Sequence, residues 1–232
     1  MTIRGLAHRG YPLKHPENTL LGFRAAIELG FTHLELDVHL TKDGVPVVIH
    51  DPTVNRTTNG TGAVKDYTLD ELLKLDAGQG EFVPTLEEVL LLAKDRILVD
   101  IELKQTGNAI PGLEAAVIEV VKRVEMLDQV VITSFDHYSI ARVRELDAQI
   151  ELGLVIYGAT PAIFPYMKQL GAKYVSLKHL FLTAEFAAEA RQHDVQLIAW
   201  TPDHEDELRF LRANYPDVLI CTNNLEGLGE GR

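Results

Sequence analysis

Eight short runs rich in Val, Ile and Leu recur along this chain, and longer amphipathic segments fill the intervals between them. The runs fall at 5–8, 33–38, 97–103, 130–134, 151–156, 174–177, 196–200 and 218–222. Short apolar strands alternating with helical segments predict a parallel sheet covered by helices. Eight such units are the number that closes on itself, so the fold class predicted is α/β, a (β/α)8 or TIM barrel. The length agrees, because 232 residues suit one barrel and a single domain over 1–232 is expected.

Helices are expected at 19–29, 85–93, 112–124, 137–146, 160–170, 183–193 and 204–214, with Asn18 capping the first and Asp203 the last. Gly30, Gly171 and Pro216 mark several of their ends. One stretch breaks the rhythm. A further strand at 46–50 follows the turn Lys42-Asp43-Gly44, which reads as a hairpin arm. A polar loop at 51–62 and a short helix at 67–75 follow it. The insertion after strand two, about 39–84, is long enough to form a lid or wall and not merely a connection.

Charge narrows the function. The chain holds 22 Lys plus Arg against 34 Asp plus Glu, a net charge of −12, with no basic stripe, so nucleic acid is excluded as a partner. The same field repels phosphate, so a phosphate site here must concentrate cations locally, from side chains or a metal. Cys221, the single cysteine, lies in an apolar run and reads as core filler. Met1 leads straight into a strand-like segment with no signal-type h-region and no apolar span, so a cytoplasmic chain without membrane insertion is expected. Nothing in the residues fixes an oligomeric state.

Chemistry in a barrel collects where the strands end. Strand one ends in His8-Arg9-Gly10, and strand two carries Glu35-Leu36-Asp37, whose alternation puts both carboxylates on one face. Two acids side by side repel unless a cation lies between them. Strand three places Glu102 and Lys104 on a shared face. Glu35, Asp37 and Glu102 together form a hard-oxygen set suited to one divalent cation, Mg2+ or Ca2+, and less to zinc. Singly, each acid reads equally well as a solvated strand end or as part of a salt-bridge network with Arg9 and Lys104.

The arm ends in His50-Asp51 and returns a second imidazole to the barrel mouth. His8 and His50 could divide the acid and base tasks, because an unperturbed imidazole titrates near neutrality, at about 6.5. Asp51 is expected to support His50 without acting directly. Seven of the nine histidines read as loop or helix-start residues, with His179 the one among them to watch. Phe135 and Trp200 stand at strand ends, either as ordinary core or as a wall against which a small polyol skeleton packs.

In this order the pieces resemble the glycerophosphodiester phosphodiesterase family. The resemblance rests on His8-Arg9-Gly10, Pro16-Glu17-Asn18-Thr19, Glu35-Leu36-Asp37-Val38, Thr41-Lys42-Asp43-Gly44, Val47-Val48-Ile49-His50-Asp51-Pro52, the segment from Arg56 to Gly62, and Glu102-Leu103-Lys104. It implies a barrel with an insertion after strand two and a divalent metal held by Glu35, Asp37 and Glu102. It also implies His8 and His50 as the acid-base pair, and Arg9 and Lys104 as phosphate contacts. The expected activity is metal-dependent hydrolysis of small glycerophosphodiesters, such as glycerophosphocholine and glycerophosphoethanolamine, to glycerol 3-phosphate and an alcohol. Two late segments depart from the family pattern. Pro202-Asp203 stands where Val-Asn is usual, and Thr222-Asn223 where Thr-Asp is usual.

Three other readings compete. A glycosidase needs two carboxylates about 5–9.5 Å apart across a sugar bond, whereas Glu35 and Asp37 are neighbours on one strand and the cations would have no task. A lysophospholipase D-type enzyme needs an apolar path for an acyl chain. A catalytically inactive barrel that binds a ligand would show a lost catalytic residue, and none is lost here.

Overall fold

The computed structural model describes residues 2–229. Eight parallel strands alternate with helices: β1 (Ile3–His8), β2 (Phe31–Leu40), β4 (Leu98–Leu103), β5 (Val130–Ser134), β6 (Glu151–Ile156), β7 (Tyr174–Lys178), β8 (Gln196–Trp200) and β9 (Leu219–Thr222). Pairing runs around the sheet, and contact between β1 and β2 closes it into a barrel. A ninth strand, β3 (Pro46–Val48), pairs antiparallel with the end of β2.

Strand alternation sorts the side chains. Leu34, Leu36, Ile101 and Leu103 point outward and pack, fully buried, against the helices. Inside the barrel, Leu6, Ile198, Leu219 and Cys221 form a small apolar plug, with the thiol of Cys221 pushed well up by burial. Above that plug the interior turns polar. Register decides which polar groups meet: His8 lies opposite Glu35, Glu35 opposite Asp100, and Asp37 opposite Glu102.

The helices are α1 (Leu20–Leu29), α2 (Leu69–Leu72), α3 (Leu86–Ala93), α4 (Leu113–Arg123), α5 (His137–Leu146), α6 (Ile163–Leu170), α7 (Ala184–Gln192), α8 (Glu205–Asn214) and α9 (Leu225–Gly229). Thr68 and Thr85 form capping boxes with Glu71 and Glu88 at the starts of α2 and α3, and Gly30 and Gly171 end α1 and α6 in the left-handed conformation. Two expected caps are displaced by one residue. Thr19, not Asn18, caps α1, and His204, not Asp203, occupies the cap of α8. Both displaced residues are spent on the barrel mouth instead. The helix expected at 67–75 shortens to α2 after a 3₁₀ turn at Val64–Asp66.

Between β2 and α3 the chain builds its own apolar cluster of Val47, Ile49, Val54, Val64, Leu72 and Val83, which makes the arm a packed wall and not a loose loop. No helix among the described residues is long and apolar enough to cross a membrane.

One buried ion pair staples two outer helices. Glu114 on α4 accepts from Ser139 Oγ at 2.6 Å, from Arg142 Nη2 at 2.8 Å and from Gln105 Nε2 at 3.3 Å. Glu114→Leu strips these donors of their acceptor, so a loss of about 2 kcal/mol is expected in urea unfolding. A loss within ~0.5 kcal/mol would show that the clasp contributes nothing.

Candidate active site

The C-terminal mouth of the barrel holds a cavity of about 150 Å³. His8, Arg9, Glu35, His50, Glu102, Lys104, Phe135 and Trp200 line it, and Asp37 lies buried just beneath. Every site residue expected from the sequence is therefore brought to one place.

The turn after β1 has a steric cause. Gly10 adopts φ +84°, and a Cβ there would come within 2.8 Å of the Gly22 carbonyl carbon at the start of α1. Arg9 and Asn18 also take left-handed backbone conformations, at φ 57° and 56°, and the Asn18 N–H donates to the Arg9 carbonyl at 2.9 Å. This locked corner aims the Arg9 N–H at Glu35 Oε2 (3.0 Å) and the Asn18 amide at Asp37 Oδ2 (2.9 Å).

The three carboxylates of Glu35, Asp37 and Glu102 each offer an oxygen within 4.8 Å of the others. Burial, then the charges of Asp37 and Glu102, push the Glu35 carboxyl well above its usual range. Burial raises the Glu102 carboxyl as well, against the nearby Lys104 ammonium. Asp37 is also buried, but Lys104 and Arg9 outweigh the desolvation and hold it low. Deeper on β4, Asp100 is raised to about 7 by burial and accepts from Thr133 Oγ1 at 2.6 Å. Crowding of hard, partly uncompensated oxygens in a buried mouth fits a divalent cation such as magnesium or calcium.

Lys104 Nζ lies 2.7 Å from Glu102 and 3.4 Å from Asp37, and these two acids keep it charged despite its burial. Arg9 Nη1 donates to Glu17 at 3.1 Å, and its Nε lies 3.4 Å from Asp37. Glu17 in turn accepts from Arg56 at 2.7 Å, and Arg56 Nε donates to Asp51 at 2.8 Å. Arg56 holds the Asp51 carboxyl below the usual carboxylate range.

The two imidazoles are mounted differently. The arm delivers His50: the Ile49 N–H donates to the Asp37 carbonyl at 3.0 Å, and His39 Nε2 donates to the His50 carbonyl at 3.1 Å. His50 Nδ1 then donates to Asp51 at 2.7 Å, which leaves Nε2 for the cavity. His8 Nδ1 meets the amide oxygen of Asn223 at 2.8 Å. The Asn223 amide cannot turn round, because its nitrogen donates to Asp203 Oδ2 at 2.7 Å. His8 therefore carries its proton on Nδ1 and presents a bare Nε2, 3.9 Å from Glu35. Burial, then the Arg9 charge, lowers its pKa to about 4.

Asp203 and Asn223 are the two late departures from the family pattern, and they touch each other. Acid and amide have exchanged places across one hydrogen-bonded pair, so complementarity is kept. Their roles, like those of Asn18, Glu17 and Arg56, went unread in the sequence. The signal lay in the motifs and departures quoted with the resemblance, where Glu17, Arg56 and Asn223 carry no stated task and Asn18 and Asp203 read as helix caps. His179, the histidine to watch, does not line the cavity: its Nδ1 donates to the Trp200 carbonyl at 3.2 Å, and its Nε2 lies 3.4 Å from the Glu207 carboxylate.

A closed parallel barrel with acids, imidazoles and cations at its strand ends defines a (β/α)8-barrel enzyme of the kind that builds its site at the C-terminal mouth. The sequence model of the Glycerophosphoryl diester phosphodiesterase family matches residues 8–225, and the chain belongs to that family. It is 39% identical over 225 residues to a glycerophosphodiester phosphodiesterase of Caldanaerobacter subterraneus subsp. tengcongensis, covering 92% of each chain. A glycerophosphodiester phosphodiesterase of Bacillus altitudinis is 36% identical over 214 residues, with 88% of this chain and 87% of the relative covered. Among solved structures, an Oleispira antarctica phosphodiesterase in complex with the product sn-glycerol-3-phosphate superposes with a TM-score of 0.90 at 26% identity, covering 97% of this chain and 94% of the other.

Proposed function

We propose that this phosphoric diester hydrolase cleaves small glycerophosphodiesters, including glycerophosphocholine and glycerophosphoethanolamine, to glycerol 3-phosphate and an alcohol. Glu35, Asp37 and Glu102 would hold one Mg2+ or Ca2+ ion, and His8 and His50 would move the protons. The observation that carries this reading is the carboxylate triad flanked by two imidazoles whose Nε2 atoms are left for the cavity. When bound, the ion would polarise a phosphoryl oxygen and ease deprotonation of the nucleophile.

Arg9 and Lys104 offset the negative charge of the diester, which otherwise repels any nucleophile, and meet the charge that grows as phosphorus becomes five-coordinate. His8, held neutral with Nε2 bare, accepts the nucleophile's proton. His50 gives a proton from Nε2 to the departing alcohol oxygen, and Asp51 stabilises the charged ring that such an acid must be. Phe135 and Trp200, in edge-to-face contact with centroids 5.8 Å apart, form the wall for a carbon skeleton.

The test is release of glycerol 3-phosphate from glycerophosphocholine and glycerophosphoethanolamine by metal-stripped protein, with Mg2+ or Ca2+ added back separately. Turnover restored by a divalent ion is expected. No turnover with either ion, from either diester, sinks the reading.

A further inference from the structure

The mouth has two unlike halves. β1, β2 and β4 supply the charged half already described. On the other side, strand alternation brings a second layer of side chains to the rim. Thr133, Val155 and Ser176 line the cavity, and two residues further on stand Phe135 and Tyr157, just past the ends of β5 and β6, and Lys178, the last residue of β7. Trp200 completes the row on β8, opposite Lys178 in register. The rings touch in sequence: Phe135 to Trp200 at 5.8 Å and Tyr157 to Trp200 at 6.0 Å.

Lys178 is the odd member. Its ammonium lies 5.2 Å from the Trp200 ring centre and 5.9 Å from that of Tyr157. Among the described residues no carboxylate pairs with it, whereas Arg9, Arg56 and Lys104 are all tied to acids. In a chain of net charge −12, an ammonium free of any acid at the mouth is a local reversal of field. Lys178 already sits over one face each of Trp200 and Tyr157, where a quaternary ammonium would otherwise be drawn.

We propose that Lys178 sets the charge selectivity of the enzyme, so that the preferred diester carries a second anion on its released alcohol, a further phosphate being the fitting case. The inference rests on the diesterase reading above and adds the class of alcohol. With the phosphodiester drawn to the charged half, the remainder of the substrate lies across the aromatic half. There a second anion meets an unpaired ammonium, while a trimethylammonium group meets a like charge.

Three diesters of one design test this: glycerophosphoglycerol bearing a terminal phosphate, plain glycerophosphoglycerol as the neutral reference, and glycerophosphocholine. The readout is the ratio of kcat/KM values for the intact, ion-loaded protein and for Lys178→Gln and Lys178→Glu. The native chain is expected to favour the anionic diester over the neutral one by roughly tenfold and to disfavour the choline diester. Lys178→Gln should collapse both ratios, and Lys178→Glu should invert the order of the anionic and choline substrates. If both variants lower all three substrates by one common factor, or leave the ratios alone, Lys178 is a packing residue and the inference fails. Absence of turnover on all three diesters with either ion would overturn the diesterase reading, and this inference with it.

Discussion

His50→Ala is expected to lower kcat on an alkyl diester by about 10²- to 10⁴-fold without changing the melting temperature. The side chain is about one-third exposed, and its one side-chain partner is Asp51. The backbone there is held separately by His39 and by the Ile49 amide, so the arm keeps its place without the ring. His8→Ala should cost a similar factor. The two variants part when the leaving group is p-nitrophenol, which departs as a stable anion and needs no proton. On a p-nitrophenyl glycerophosphate the loss in His50→Ala should shrink by at least about tenfold, whereas the loss in His8→Ala should persist. The reverse pattern would exchange the acid and base roles.

The site itself was only partly legible in the sequence. Glu35 and Asp37 could be read because a strand has period two, and any pair of acids at i and i+2 must share a face. His50 could be read because the turn at Gly44 sends the chain back along β2, and the observed pairing of Val38 with Val48 returns it to the mouth. Asn18 and Asp203 could not. Each belongs to a capping residue type and stands beside the start of a helix, where local preference predicts a cap. The true caps lie one residue on, and the displaced side chains reach to Asp37 on the neighbouring strand and to Asn223 just past the end of one. Local rules have no access to such contacts, which join residues 19 or 20 apart. Lys178 failed for a different reason. It sits on a strand face that the period predicts, but the height at which each strand leaves the barrel is set by register with its neighbours.

The carboxylate cluster has the opposite costs for folding and for function, and Glu35→Gln separates them. Glu35 is buried with a raised pKa, from burial first and then from Asp37 and Glu102. A carboxyl whose pKa is higher folded than unfolded stabilises the fold below its unfolded value, about 4.3, and loses that contribution as pH rises through the folded value. In ion-free protein the cluster therefore works against the fold at neutral and alkaline pH. Gln keeps an oxygen to accept the Arg9 N–H, now at 3.0 Å from Glu35, and brings an amide that can donate to the neighbouring acids. Ion-free Glu35→Gln should thus melt higher than ion-free wild type at pH 8, with the gap closing near pH 4. With ion at 100 times its Kd the order reverses. On the proposed reading wild type should gain about 2.7 kcal/mol from binding, while the variant, lacking one of the three carboxylates, should gain little. Its kcat should fall by at least about 10²-fold. A variant that melts lower than wild type in ion-free buffer at pH 8 would show that Glu35 serves the fold as well as the ion, and that the strain inferred for this cluster is absent.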